Sequence, residues 1–115
     1  MNRLVTAGLL GAIAIALGAF GAHGLKERLA VIPEAGGWWE TATFYLLTHA
    51  VAIGAIAGRS VWPARLWAVG AAIFAATLYA MALGAPRWFG AITPIGGSLL
   101  IAGWVVLAWA SRKES

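Results

Sequence analysis

Four long apolar stretches, Leu4–Ala22, Thr41–Gly58, Leu66–Gly84 and Ile92–Ala110, contain none of the chain's Asp, Glu, Lys or Arg residues. That segregation makes lipid the expected solvent. Each stretch is about 19 residues long, and a hydrocarbon core of about 30 Å needs about 20 helical residues, so flanking residues complete each span. The runs are continuous and rich in Ala and Leu, without the two-residue alternation of a membrane barrel strand. With 62% hydrophobic and 10% charged residues, a soluble chain of 115 residues would expose too much oil, because about 40% of its surface stays wet at this size. The expected fold is all-α: one integral-membrane domain, a four-helix bundle of up-down hairpins. Its spans are placed at about 4–22, 39–58, 64–84 and 93–111.

The first stretch has Arg3 ahead of it and small residues near Ala19–Gly21, as a secretion signal would. Its apolar run exceeds a signal's usual length, so it reads as a retained first helix. With four spans, Arg3, Arg59, Arg65, Arg112 and Lys113 share one side, against Lys26, Arg28 and Arg87 on the other. The excess places both termini in the cytoplasm. The net charge of +4 is thus mostly topology and makes no nucleic-acid surface. There is no cysteine, hence no disulfide framework or thiol chemistry.

Local signals set the boundaries. Thr93–Pro94 reads as a cap followed by proline at the first helical position. Pro63 opens helix three, and Gly36–Gly37 breaks the chain before helix two. Trp38, Trp39, Trp62, Trp67, Trp88 and Trp109 lie near span ends, where an aromatic belt is expected, and Trp104 lies deeper, as packing. Leu25, Leu29 and Ile32 mark either a short interfacial helix ended by Pro33 or an extension of helix one. Ala7, Gly11, Gly18 and Ala22 give helix one a small-residue face, with Gly8, Ala12 and Gly21 nearby. Gly70, Ala71, Gly96, Gly97 and Gly103 offer the same in helices three and four. Close backbone approach is the main adhesive between helices in lipid. Such faces serve intramolecular packing first and an oligomer or partner subunit second.

Polar residues inside the spans gather on helix two, where Thr41, Tyr45, Thr48 and His49 share a side. His49 lies roughly 16 Å below Trp38 at about 1.5 Å per residue. A titratable group at that depth belongs to the bundle interior. It is either a packing histidine hydrogen-bonded in neutral form or part of a site. His23 ends helix one at the interface. The two histidines make a poor haem pair, since axial ligands must lie within about 4 Å of each other. No metal and no cofactor are expected.

Several of these residues carry a resemblance. Gly18-Ala-Phe-Gly-Ala-His23-Gly-Leu25-Lys, then Trp39-Glu40-Thr41-Ala with Tyr45 and His49-Ala, then Ile92-Thr-Pro-Ile-Gly-Gly97 with Gly103-Trp104, resemble the domain-of-unknown-function 423 family. These are YgdD-type small bacterial inner-membrane proteins, similar to a eukaryotic transmembrane protein family. The resemblance implies four membrane helices and no established activity, substrate or catalytic residue. It draws attention to His23, Glu40, Tyr45, His49, Thr93, Pro94, Gly96 and Gly97. Without Pro94 and together with Thr48, these form the candidate structural or ligand network. In it, Glu40 or the outer loop meets His23, and Gly96–Gly97 let helix four approach helix two.

Two functional classes follow. The first is a non-enzymatic structural or accessory component, packed against itself or a larger complex in contact with membrane lipids. The second is a binder or carrier of a lipid or small neutral molecule, through an outer-facing polar pocket around His49. A small proton-coupled exporter needs an acidic residue inside helix one, which has none. No nucleophile–base pair, phosphate loop or metal spacing argues for an enzyme.

Overall fold

The structure, a computed structural model, describes residues 2–114. Four long helices dominate: α1 (Arg3–Ala22), α3 (Ala35–Ala55), α4 (Val61–Ala82) and α5 (Thr93–Ser111). Between α1 and α3 lies a separate four-residue helix, α2 (Lys26–Leu29), so helix one does not extend through this region. A 3-10 turn over Arg87–Ala91 precedes α5. Among the described residues there is no strand.

Neighbouring helices run antiparallel, as their contacts record. A methyl group on Gly18 would meet Thr43, one on Gly11 would meet Ala50, and Gly54 faces Ala7, so α1 descends as α3 rises. In the same sense Thr77 meets Thr93 and Gly103 lies under Trp67 across α4–α5. The α3–α4 seam is made of side chains instead: Thr43 and Trp39 against Tyr79, Tyr45 against Phe74, and His49 against Trp67. The pair α3 and α4 forms the centre, with α1 packed on α3 and α5 on α4. Burial follows that order. In α1 only Ala14 is buried, whereas α4 buries Trp67, Gly70, Ala71, Ala75 and six more besides Leu78. The exposed side of α1 presents Leu4, Leu9, Ile13 and Phe20, which suits hydrocarbon.

Among the described residues, three helical segments are long and apolar enough to cross a membrane: α1, α4 and the segment Arg87–Glu114 that carries α5. The fourth long helix, α3, has 21 residues. Trp38, Trp39, Glu40 and five hydroxyl or imidazole side chains dilute its apolarity.

Several boundaries differ from expectation. Gly36 and Gly37 do not break the chain; they lie in the first turn of α3, which begins at Ala35. Pro63 sits inside the first turn of α4, which starts at Val61. Thr93 does not cap α5: it is the first helical residue, and its hydroxyl bonds Thr77 and the Phe89 carbonyl instead. Trp39 and Trp67 are not belt residues. Both are buried, Trp39 donating its indole N–H to the Leu17 carbonyl at 2.7 Å. The helix ends after α3 and α4 are closed by Gly58 and Gly84 at φ of 87° and 108°, the left-handed region that a side chain would strain.

Candidate functional site

Tyr45 and His49 are four residues apart in α3 and therefore share a face. The α3–α4 packing turns that face inward for His49, which is buried, and leaves the edge of Tyr45 exposed. The His49 Nδ1 lies 2.7 Å from the Tyr45 carbonyl oxygen. The Trp104 indole N–H donates to His49 Nε2 at 3.0 Å. A carbonyl only accepts and an indole N–H only donates, so Nδ1 carries the proton and Nε2 is bare. This is a neutral imidazole with both nitrogens bonded, linking α3 to α5.

Rings close around it. Tyr45 stacks near-parallel to the imidazole at 6.3 Å, and Trp67 and Trp104 meet it edge-on at 6.0 and 5.9 Å. Trp67 and Trp104 lie 4.4 Å apart, and Phe74 lies 4.8 Å from Tyr45. Gly103 makes room for this: any side chain there would strike the Trp67 ring. The Trp67 N–H is buried without an acceptor. His49 lines neither the cleft beside Glu40 nor the one between Arg3 and Arg65.

Two further polar couples pin the helices. Thr43 and Tyr79 hydroxyls join α3 to α4 at 2.7 Å. Thr77 and Thr93 hydroxyls join α4 to α5 at 2.6 Å; Thr77 also reaches the Ile73 carbonyl at 2.9 Å and Thr93 the Phe89 carbonyl at 3.3 Å, so one hydroxyl donates across the seam and the other donates back to its carbonyl. Each hydroxyl thereby finds a partner where water is absent.

The expected network is only partly assembled. His49 and Tyr45 come together, but Thr48 is exposed one turn position away and bonds neither. His23 and Glu40 are both exposed, and among the described residues no hydrogen bond or ion pair joins them. Gly96 and Gly97 bring α5 against α4, not against the expected partner α3: a methyl on Gly96 would lie 2.5 Å from the Phe74 amide nitrogen and 2.8 Å from the Gly70 carbonyl oxygen. Gly97 lies beside the Phe74 ring. Glu40 instead lines a cleft of about 600 Å³ with Lys26, Trp39 and Thr43. Among the described residues no group of three His, Cys, Asp or Glu is disposed to hold a metal.

Sequence reasoning passed over the partners. The sequence marks Trp104 as packing, gives Thr43, Thr77 and Tyr79 no polar role, and places Trp67 at a span end rather than beside His49. The glycine before Trp104 was the available signal, since small residues beside a buried ring mark a close crossing.

The profile described as protein of unknown function (DUF423) matches residues 17–97, which hold His23, Glu40, Tyr45, His49, Thr93 and Gly96. The chain belongs to this family. A UPF0382 membrane protein of Staphylococcus epidermidis is 40% identical, the alignment covering 98% of both chains. The UPF0382 inner membrane protein YgdD of Escherichia coli is 34% identical over 90% of this chain and 84% of its own. A UPF0382 membrane protein of Schizosaccharomyces pombe is 34% identical over 88% of this chain and 93% of its own. No solved structure matches. The chain is a member of an uncharacterised family of helical membrane proteins.

Proposed function

We propose that this chain is a non-enzymatic structural or accessory component of a bacterial inner membrane. In this reading it crosses four times, with α3 as the fourth crossing and both termini in the cytoplasm. The observation that carries it is the use made of His49: its two nitrogens hold α3 and α5 together, at 2.7 and 3.0 Å, inside a wall of rings. A titratable group so committed serves packing. Partner binding falls to the outside of α1, where Gly8, Ala12 and Ala16 recur every four residues and all are exposed. The partner is a second copy or a subunit of a larger complex, surrounded by membrane lipids.

The chain lacks cysteine, so single-cysteine reporters are clean. Ala12→Cys in native membranes is expected to cross-link to a protein partner, and Val51→Cys on the exposed side of α3 is not. Extraction in native lipid with mass spectrometry should return the same partner. Failure of both sinks the proposal. A second reading, binding of a lipid or small neutral molecule, has one observation in its favour, the cleft of about 600 Å³ around Glu40, Lys26 and Trp39. Enrichment of one lipid without any protein would favour it.

A further inference from the structure

At the end of the bundle opposite Glu40, the starts of α1 and α4 diverge. Between them lies a cleft of about 540 Å³, floored by Ile53, Ala64 and Ala68 and flanked by Arg3 and Arg65. Its size falls within the roughly 300–1,000 Å³ of small-molecule sites. One guanidinium nitrogen of Arg3 is buried and has no hydrogen-bond partner. Arg65 is exposed and rests on the Trp62 ring, its guanidinium carbon 5.3 Å from the ring centre.

Among the described residues no carboxylate pairs with Arg3 or Arg65. Of its four acidic side chains, Glu27, Glu34 and Glu40 belong to the other end, and Glu114 is paired with Arg59. Both α1 and α4 begin here with their positive dipole ends, while α3 ends here, Ala57 and Gly58 lining the cleft, so one negative helix end offsets part of that field and the two guanidinium groups supply most of the positive charge. Asn2 takes up the Leu4 N–H at 2.7 Å, but Ser60 makes no side-chain bond to the first turn of α4. The N–H groups of that turn have no intrahelical partner.

We propose that this cleft binds a phosphate-bearing anion through Arg3 and Arg65. A guanidinium presents its donors in a fork that matches phosphate oxygens. The apolar floor of Ile53, Ala64 and Ala68 beside the two guanidinium groups fits the first carbons and headgroup of an anionic phospholipid. A free phosphate compound offers the same charged group, and the experiment separates the two.

The full chain, purified in dodecyl maltoside, is titrated with phosphatidylglycerol, phosphatidylcholine and inorganic phosphate, with binding read by native mass spectrometry and thermal stabilisation. Phosphatidylglycerol is expected to bind at least about tenfold tighter than phosphatidylcholine, and Arg65→Gln to weaken it about tenfold. Arg3→Gln/Arg65→Gln should abolish the preference, and Arg3→Lys/Arg65→Lys should restore part of it. Arg59→Gln, at the same end but outside the cleft, should keep it. Saturable stabilisation by inorganic phosphate that disappears in Arg65→Gln identifies a free phosphate compound as the source. Arg65 is exposed, so its single variant tests the site even where the double variant fails to fold. The proposal is overturned when neither phosphatidylglycerol nor phosphate binds in preference to phosphatidylcholine, when Arg65→Gln binds as wild type does, or when Arg59→Gln loses as much as Arg65→Gln.

Discussion

Adjacent glycines at the start of α5 should respond oppositely to a single added methyl group. A Cβ on Gly96 would sit 2.5 Å from the Phe74 nitrogen, 2.8 Å from the Gly70 oxygen and 3.0 Å from the Phe74 Cα, all backbone atoms of α4. Backbone cannot rotate aside, so α5 has to withdraw by about 1 Å to regain ordinary contact. A gap of that size forfeits about a quarter to a half of each contact energy along the seam. It also stretches the Thr77–Thr93 bond from 2.6 Å and the Trp104–His49 bond from 3.0 Å, leaving a buried acceptor poorly served. Overpacking costs about 1–3 kcal/mol and each of the two weakened bonds about 1 kcal/mol, so Gly96→Ala should lose roughly 3–5 kcal/mol. On Gly97 the same methyl meets only the Phe74 ring, at 3.7 and 3.8 Å, an ordinary contact. Gly97→Ala should be neutral, or gain up to about 1 kcal/mol from helix propensity. Equilibrium unfolding in mixed dodecyl maltoside and dodecyl sulfate micelles, followed by tryptophan fluorescence and circular dichroism, measures both. Equal stability of the two variants would refute the assigned α4–α5 crossing.

Three further outcomes are expected. Trp104→Phe should cost about 1–3 kcal/mol by leaving His49 Nε2 without its donor, and combining it with His49→Leu should cost less than the two single losses together in the same unfolding assay. Gly21→Ala drives a methyl into the Trp39 ring and breaks its bond to the Leu17 carbonyl; it should destabilise by about 1–3 kcal/mol, whereas Gly8→Ala, with no neighbour within 4 Å, should not. Glu34→Gln removes an exposed pair with Arg87 at 3.0 Å; the melting temperature should hardly move, since such pairs are worth at most about 1 kcal/mol, and the small difference should vanish in high salt.

The helices were readable because each is an apolar run between charges, and α1, α4 and α5 emerged close to their expected bounds. The inward turn of His49 was readable too, since a titratable group in hydrocarbon has few other places to go. Its partner was not. Trp104 lies 55 positions away, and no periodicity within one helix reports which face of another it meets. Gly96 shows the same limit: a glycine announces a close crossing but not with which helix. Gly36 and Gly37 misled for a different reason. Paired glycines lower helix propensity by about 1 kcal/mol each, yet at the first turn of α3 the packing of Ala35 and Trp39 outweighs that cost.

The three seams of the bundle differ in compliance. Along α1–α3 and α4–α5 small residues bring the helices close, so those two hairpins are stiff plates. Along α3–α4 bulky side chains intervene, and the Thr43–Tyr79 bond pins that seam near the Glu40 end. The Trp104–His49 bond ties the same two plates further along, so the bundle is built to scissor about the stretch between these two bonds, with its pivot displaced toward one rim. The walls of the Arg3–Arg65 cleft belong to different plates, α1 to one and α4 to the other, at the rim farthest from the pivot. A small rotation about the pinned seam is converted there into the largest change in the distance between the two arginines.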